Sequence, residues 1–176
     1  MLKKLAFSLV ALLLVPHLHA QTPSTTDLQK SCGSFVQSFY DWYAPRAFKD
    51  GPETAVRHKS AVFAPDLLSA LKRDFAAQQK SPGELVGLDF DPFLNSQDPD
   101  GRYQLGSVTV KDAACWADVY GVTSGNKRAK PDVVPELKFQ NGQWVFVNFH
   151  YGKGRQGEDI NLLGTLKQLE RDRHQP

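Results

Sequence analysis

The apolar residues of this chain change their spacing about halfway along it, and this change restricts the fold more than any other feature. In the first half they recur at the spacing of one helical face. From Tyr103 onward they alternate with polar residues, as in strands. Helices followed by a run of antiparallel strands predict an α+β fold, in which N-terminal helices pack on a curved antiparallel sheet and a short C-terminal helix follows.

Three helices are predicted from apolar stripes and end signals. The first begins at a capping box formed by Thr26 and Gln29, and Pro45 ends it. The second has Pro65 as its first residue, which suits proline because no helical N–H bond is lost there. The third is the short C-terminal helix, capped by Asp159. The stripe of the first helix consists of Leu28, Cys32, Phe35, Val36, Phe39 and Tyr43.

The strand pattern of the second half contains a bulge and a tight turn. Gly106 interrupts the first strand and predicts a bulge there. Asn141-Gly142 is a strong signal for a hairpin between the last two strands. Simple alternation in Gln143–Tyr151 places Trp144, Phe146, Asn148 and His150 on one face and Val145, Val147, Phe149 and Tyr151 on the other. Both faces are mostly apolar, so a central strand covered on both sides is predicted.

Met1–Ala20 has the order of a secretory signal peptide: basic residues, an apolar run and a small residue at the cleavage site. The run is too short to remain as a membrane anchor. Cys32 lies too far downstream of the cleavage site for a lipoprotein. We therefore predict a bacterial periplasmic or secreted protein with one domain over residues 21–176 and an ordered core over about residues 26–170.

The charge of the exported part is balanced. Lys3 and Lys4 are the only charged residues of the signal segment, so the 21 basic residues of the chain become 19 and equal the 19 acidic ones. A neutral protein has no long-range attraction for nucleic acid or for an anionic membrane. The sequence therefore predicts no nucleic-acid partner and no membrane anchor.

Cys32 and Cys115 are the two cysteines of the chain, and an oxidising compartment favours a disulfide between them. The alternative is that they are small buried apolar residues with free thiols. No Cys-x-x-Cys spacing is present, so a redox role is poorly supported.

The segment between the helical half and the strands is acidic and resembles the start of a calcium loop. Ser96, Asp98, Asp100 and Gly101 match the first positions, but Ser107 stands where a bidentate Glu is needed. An Asp-Pro-Asp-Gly turn explains the run better, so we predict neither a metal nor a cofactor. No catalytic elbow, zinc helix or phosphate loop is present either.

Several segments resemble the bacterial domain-of-unknown-function family 3828, whose members are mostly exported proteins. The most specific is Asp91-Pro-Phe-Leu-Asn-Ser-Gln-Asp98, and the resemblance spans about residues 28–169. The others are Phe35–Tyr43, Ser69–Leu71, Leu88–Phe90, the Trp144 hairpin and Asp159–Leu163. The resemblance implies a cone-shaped fold similar to nuclear transport factor 2, a superfamily that contains enzymes as well as non-catalytic binding and assembly domains.

The implied cone defines the candidate site. Its mouth would be lined by aromatic residues with a polar tip and by His150, with the Asp91–Asp98 loop on the rim; a purely structural role for His150 and for the loop aspartates is the alternative. The candidate pocket residues are Tyr40, Tyr43, Asp91, Trp116, Trp144 and His150, and the candidate loop residues are Asn95, Gln97 and Asp98.

Three functions are compatible with these features. The first is a non-catalytic module that binds an unknown small molecule or an envelope or secreted protein. The second is an immunity protein or envelope-assembly partner, with a rigid surface patch in place of a pocket. The third is an isomerase, lyase or hydrolase acting through Tyr40, Asp91 or His150, which requires one of them to be buried in a cavity with a strongly shifted pKa. A homodimer through the outer face of the sheet is a further expectation.

Overall fold

A computed structural model describes residues 24–84 and 86–174, and within them it confirms the α+β prediction. The helices are α1 (Thr25–Asp50), α2 (Glu53–His58), α3 (Pro65–Lys80) and α4 (Leu162–Arg173), with a 3-10 turn at Ser60–Val62. The strands are β1 (Tyr103–Lys111), β2 (Ala114–Thr123), β3 (Asn126–Lys127), β4 (Val134–Gln140), β5 (Gln143–Lys153) and β6 (Asp159–Asn161). The signal peptide predicted at Met1–Ala20 lies outside the described residues.

The strands form one antiparallel sheet in the order β1-β2-β4-β5-β6, with the short β3 paired to β2. The predicted hairpin is present: Gln140 pairs with Gln143, and Asn141 and Gly142 both have positive φ. This backbone is the one that a tight two-residue hairpin needs, which is why Asn-Gly predicts it. The bulge predicted near Gly106 is also present in β1.

Aromatic side chains fill the space between the helices and the sheet. The predicted stripe of α1 faces this core, where Phe39 lies 4.8 Å from Phe146 and 5.9 Å from Phe93, measured between ring centroids. Phe149 continues the cluster, 5.2 Å from Phe93. Leu162 and Leu166 of α4 join the same core. The interior is thus packed with rings, so the site has to be sought at the surface.

A bulge in β5 changes the predicted faces of that strand. The pairing with β4 shifts between Glu136 and Leu137, which places one extra residue in β5 between Phe146 and Asn148. Phe146 and Phe149 therefore point to the same side, with ring centroids 5.1 Å apart. The simple alternation was wrong beyond Phe146: Phe149 enters the core, and His150 points away from it.

α1 does not end at Pro45, as the sequence predicted, but continues to Asp50. Proline removes one helical hydrogen bond, and that loss is tolerated here because the flanking Ala44 and Ala47 are buried. The Arg46 guanidinium also donates to the Trp42 carbonyl at this turn. The helix stops at Gly51, whose φ of 66° suits glycine and whose N–H reaches the Ala47 carbonyl at 2.9 Å.

The observed N-caps of α1 and α4 also differ from the predicted ones. α1 is capped by Ser24, whose hydroxyl accepts from the Asp27 N–H at 3.2 Å, and the predicted cap Thr26 lies inside the helix. α4 is capped by Asn161, which accepts from the Gly164 N–H at 2.9 Å. Asp159, the predicted cap, belongs to β6 and contacts His150 instead. In both helices a neighbouring residue of equal capping ability occupies the position.

The predicted disulfide is confirmed: Cys32 of α1 is bonded to Cys115 of β2, and the bond joins the helical layer to the sheet. Among residues 24–84 and 86–174, no helix is long and apolar enough to cross a bilayer.

Candidate functional site

The candidate pocket residues lie in three separate places. Tyr40, Tyr43 and Trp144 are buried in the core, where Trp144 donates its indole N–H to the Ser31 hydroxyl at 3.0 Å. Asp91 lies at the edge of the core beneath a surface groove. Trp116 and His150 lie on the opposite face of the sheet, described below. The chain therefore does not bring these six residues together in one site.

Three tyrosine hydroxyls hold the loop that follows α3. Tyr40 donates to the Phe93 carbonyl at 2.9 Å, and Tyr43 donates to the Asp91 carboxylate. Tyr151 of β5 donates to the Pro92 carbonyl at 2.8 Å. Both helix and sheet thus fix the backbone of residues 91–93. Tyr40 and Tyr43 were predicted to line the mouth of a cone and here act as buried donors to the loop, and Tyr151 was not among the predicted site residues.

Asp91 organises the turn that starts this loop. Its Oδ1 accepts from the N–H groups of Phe93 at 2.9 Å and Leu94 at 3.1 Å, so the side chain caps its own backbone. Its own N–H donates to the Ser96 carbonyl at 2.8 Å and closes the loop. This capping explains why the run from Asp91 to Asp98 folds locally.

Burial raises the pKa of Asp91 to about 6, although the hydrogen bonds from Tyr43, Phe93 and Leu94 act to lower it. Desolvation disfavours the charged carboxylate, and only 8% of the residue is exposed. Burial likewise raises the pKa values of Tyr40 and Tyr43, and the nearby Asp91 charge adds to the effect. Both hydroxyls therefore stay protonated and act as donors at neutral pH.

The candidate loop residues are exposed around this turn. Asn95 has a φ of 50° and donates its amide to the Asp132 carbonyl at 2.9 Å, which ties the loop to the segment before β4. Gln97 donates to Asp89 at 3.3 Å, and the Asp98 N–H donates to the Ser96 hydroxyl at 3.1 Å. These bonds lie within the loop or run to its supports, and all three residues are exposed.

A groove of about 650 Å³ runs between the end of α1, the start of α2, α3 and residues 88–99. We call its buried and half-buried apolar lining the floor; it consists of Ala47, Phe75, Leu88 and Phe90, with Asp91 at its foot. The rim consists of Phe48, Lys49, Asp50, Glu53, Asp89 and Gln97. Phe48 is 82% exposed, the most exposed large apolar side chain of the described residues.

The groove was not predicted, because the predicted end of α1 at Pro45 leaves out the residues of that helix that line it. The extra turn and a half of helix carries Phe48 to the surface beside the loop. No local pattern indicates it, because a single phenylalanine among Arg46, Lys49 and Asp50 is normal on a protein surface. Of the predicted site residues, the groove brings together Asp91 and Gln97.

The other sheet face carries Trp116 and His150. Cys115 points to α1 through the disulfide, so its neighbour Trp116 points to the opposite face. The His150 ring lies between two carboxylates: Nδ1 is 2.8 Å from Asp159 and Nε2 is 3.1 Å from Glu136. Burial acts to raise the pKa of Asp159, but hydrogen bonds from His150 and Asn161 lower it below its ordinary value.

This histidine joins three neighbouring strands, β4, β5 and β6. Each ring nitrogen has a carboxylate partner on a neighbouring strand, so the imidazole links the three strands. Within residues 24–84 and 86–174, no group of three or more His, Cys, Asp or Glu side chains has an arrangement that could hold a metal ion. The arrangement fits the structural role that was the alternative for His150.

Comparison with known proteins leaves the chain unclassified. No family model matches it, and no curated protein matches it. It is similar to a chain in the crystal structure of the type VI native effector–immunity complex Tae3–Tai3 from Ralstonia pickettii, with 22% identity and a TM-score of 0.48 over 69% of this chain and 94% of that chain. A likeness this weak carries no functional argument, so the function has to be inferred from the groove itself.

Proposed function

We propose that this chain is a non-catalytic interaction module that binds an exposed segment of another protein in the groove between α1 and residues 88–99. The observation that carries the proposal is the groove itself, which combines an apolar floor with an exposed aromatic side chain on its rim. Its volume lies in the usual range of binding sites, roughly 300–1,000 Å³.

A protein partner is favoured over a small molecule by Phe48. Its side chain is 82% exposed at the rim of the groove, and aromatic residues are common anchors of protein interfaces. Three of the four aromatic residues expected to line the mouth of a cone, Tyr40, Tyr43 and Trp144, are instead packed in the core. A partner would therefore contact the outside of the molecule.

The loop beside the groove is held before any partner arrives. The hydroxyls of Tyr40, Tyr43 and Tyr151 fix residues 91–93 from two sides. A surface that is already ordered loses little conformational entropy on binding, so a modest contact area can give useful affinity. This rigidity supports a recognition role for the loop.

The class of partner follows from the compartment that we propose for the chain. We propose export through the signal segment of residues 1–20 and one domain over residues 21–176 in the periplasm or outside the cell, where a disulfide such as Cys32–Cys115 persists. The partner is then an envelope or secreted protein. An immunity protein would be the special case in which that partner is a secreted toxin.

Membership of family 3828, with its cone-shaped fold, is a further proposal, and it rests on the sequence resemblance.

Catalysis is the second candidate, because Asp91 has a pKa raised to about 6 and lines the groove. Against it, three of the roughly four lone-pair sites of this carboxylate already accept hydrogen bonds from the chain, which leaves about one for a ligand. An enzyme that uses this carboxylate would lose turnover of its substrate in Asp91→Asn although the variant is folded. A binding module would leave a mixture of periplasmic metabolites chemically unchanged, as measured by mass spectrometry before and after incubation.

Capture of a partner from an envelope extract tests the interaction proposal. The oxidised protein is immobilised, and bound proteins are quantified by mass spectrometry for the wild type, Phe48→Ser and Phe139→Ser. Phe139 is the matched control, since it is 47% exposed and lies far from the groove. It packs against Trp144, which bonds to Ser31 near the start of α1. Ser31 and Phe48 are 17 residues apart in that helix, which corresponds to roughly 25 Å. We expect a stoichiometric partner that Phe48→Ser loses and Phe139→Ser keeps. Equal capture by all three proteins would contradict the groove.

A further inference from the structure

The proposed function leaves open what the partner inserts into the groove, and we propose that it is a lysine or arginine side chain whose cation pairs with Asp91. This inference rests on the proposed function and names the chemistry recognised at the same site. It follows from the charges of the groove, the lack of a cation beside Asp91 and the apolar floor next to it.

The charges that line the groove are mostly negative. Four carboxylates, those of Asp50, Glu53, Asp89 and Asp91, face a single amine, that of Lys49. The exported chain as a whole is neutral, so this excess is local. A concave surface with one sign of charge attracts and orients groups of the opposite sign. A basic segment is therefore the complementary occupant.

Asp74 and Asp91, the two buried acids of the described residues, differ in whether a cation lies beside the carboxylate. Asp74 is fully buried, and the Arg173 guanidinium lies 2.7 Å from its carboxylate. Asp91 is 8% exposed, yet its hydrogen-bond donors are the Tyr43 hydroxyl and two backbone N–H groups, and no described Lys, Arg or His forms an ion pair with it. A buried carboxylate without a counter-ion is costly, so Asp91 would gain from a cation supplied by a partner.

The floor suits the rest of a long basic side chain. Phe75, Leu88 and Phe90 line the groove together with Asp91, so the methylene groups of a lysine or arginine can lie on apolar surface while the cation reaches the carboxylate. The Phe90 ring packs edge-to-face against Tyr151, which holds it in place. A fixed ring beside a carboxylate also favours a planar guanidinium, which stacks on aromatic faces.

The proposed pair depends on pH in a defined direction. Asp91 has a pKa of about 6, so it is mostly charged above neutrality and protonated in mild acid. The titratable groups packed against it are the hydroxyls of Tyr43 and Tyr40 from α1 and Tyr151 from β5, and all three have raised pKa values and stay neutral in this range. Asp89, on the same loop, and Glu53 and Asp50 also line the groove. Affinity should therefore fall as the pH drops through about 6.

A random peptide display library panned on the oxidised protein supplies a probe without knowledge of the natural partner. Enriched peptides are synthesised with a fluorophore, and their affinities are measured by fluorescence anisotropy. The proteins are the wild type, Asp91→Asn, Phe48→Ser and the control Asp112→Asn, which removes an exposed carboxylate in the β1–β2 turn. Asn keeps the size of Asp91 and can accept the two backbone N–H bonds, so the loop is retained.

We expect Phe48-dependent peptides that share one lysine or arginine. Asp91→Asn should weaken them at least about tenfold, and Asp112→Asn should leave them unchanged. Replacing the shared arginine by citrulline, or the lysine by norleucine, should have the same effect on the wild-type protein, which tests the pair even where Asp91→Asn is unstable. Peptides that need Phe48 but bind Asp91→Asn and their neutral analogues equally well would overturn this inference and leave the proposed function standing. Peptides indifferent to Phe48→Ser would instead contradict the proposed function.

Discussion

Asp91 shows how one side chain can organise a loop and still carry an unfavourable charge. Its hydrogen bonds to Phe93 and Leu94 shape the turn, and these bonds favour the ionised form. Its burial favours the neutral form, and burial has the larger effect because the pKa rises to about 6 from an ordinary value of 3.8. The stability of the protein should therefore depend on pH through this residue.

Between about pH 4 and pH 6 the folded protein holds a proton on Asp91 that the unfolded chain has released, so this residue contributes stability that is lost as the pH rises. A shift of about two pKa units corresponds to roughly 3 kcal/mol. We expect the free energy of unfolding of the wild type, relative to Asp91→Asn, to fall by up to about 3 kcal/mol from about pH 4 to pH 7. Urea unfolding followed by circular dichroism measures it. A pH-independent difference would show that burial does not shift this carboxyl.

The cluster around His150 gives a second prediction at the residue scale. Burial acts to raise the pKa of Asp159, and the hydrogen bonds from His150 and Asn161 overcome it and lower the pKa. His150→Gln should therefore raise the pKa of Asp159 toward its ordinary value, as measured by NMR titration of its side-chain carbon. The same substitution at His58, an exposed residue at the end of α2, should leave the titration of Asp159 unchanged. An unchanged titration in His150→Gln would mean that the contact is absent in solution.

At the scale of elements, the end of α4 is attached to α3 by one buried ion pair. Arg173 reaches Asp74 at 2.7 Å and the Val86 carbonyl at 2.8 Å. Asp74 also accepts from the Leu88 N–H at 3.0 Å, immediately before the groove-lining loop. This network links the last helix to the segment that leads into the groove.

Arg173→Ala removes the cation and leaves Asp74 buried without a counter-ion. Breaking one side of a buried pair costs about 3–5 kcal/mol, so we expect a loss of that size in the free energy of unfolding. Arg171→Ala, in the same turn of α4 but exposed, should change it by less than about 0.5 kcal/mol. Chemical denaturation of the two variants makes the comparison, and equal stabilities would contradict the role of the pair.

Local sequence signals predicted the elements whose causes are local. The stripe of α1, Pro65 at the start of α3 and the Asn141-Gly142 turn are each determined by neighbouring residues, and all three predictions were confirmed. The length of α1 depends instead on tertiary packing around Pro45, which outweighs the loss of one hydrogen bond. The faces of β5 depend on a bulge at Val147, and no glycine or proline stands next to it to predict that bulge.

The candidate site was harder to predict because it also depends on residues that are distant in sequence. Asp91 and the loop could be selected because a run of Asp, Pro, Asn and Ser predicts a turn. The groove needs Phe48 from the end of α1 and Phe75 from α3 as well, and no local sequence pattern indicates that these two distant residues line the same groove. Tyr40 and Tyr43 were expected to line a cavity, whereas the chain uses them as buried anchors of the loop.

On the scale of the whole molecule, the helices pack against one face of the sheet and the disulfide crosses between the two layers. Cys32 lies near the start of α1 and the groove lies at its end, so the bond fixes one end of the helix whose other end carries Phe48. The rest of the contact between the layers is noncovalent, with aromatic and aliphatic packing and hydrogen bonds such as that from Trp144 to Ser31. The disulfide should therefore stabilise the whole fold and leave the groove chemistry untouched.

Replacing both cysteines, Cys32→Ala with Cys115→Ala, removes a covalent link between residues 83 apart in sequence. The unfolded chain then gains the conformations that the closed loop excluded, which corresponds to about 4 kcal/mol for a loop of this length. We expect the double variant to lose that much free energy of unfolding, as measured by urea denaturation, and the wild type to lose the same amount when reduced. The variant should still bind groove peptides at low temperature, because neither sulfur lines the groove. Unchanged stability in both tests would show that noncovalent contacts hold the layers together without a contribution from the disulfide.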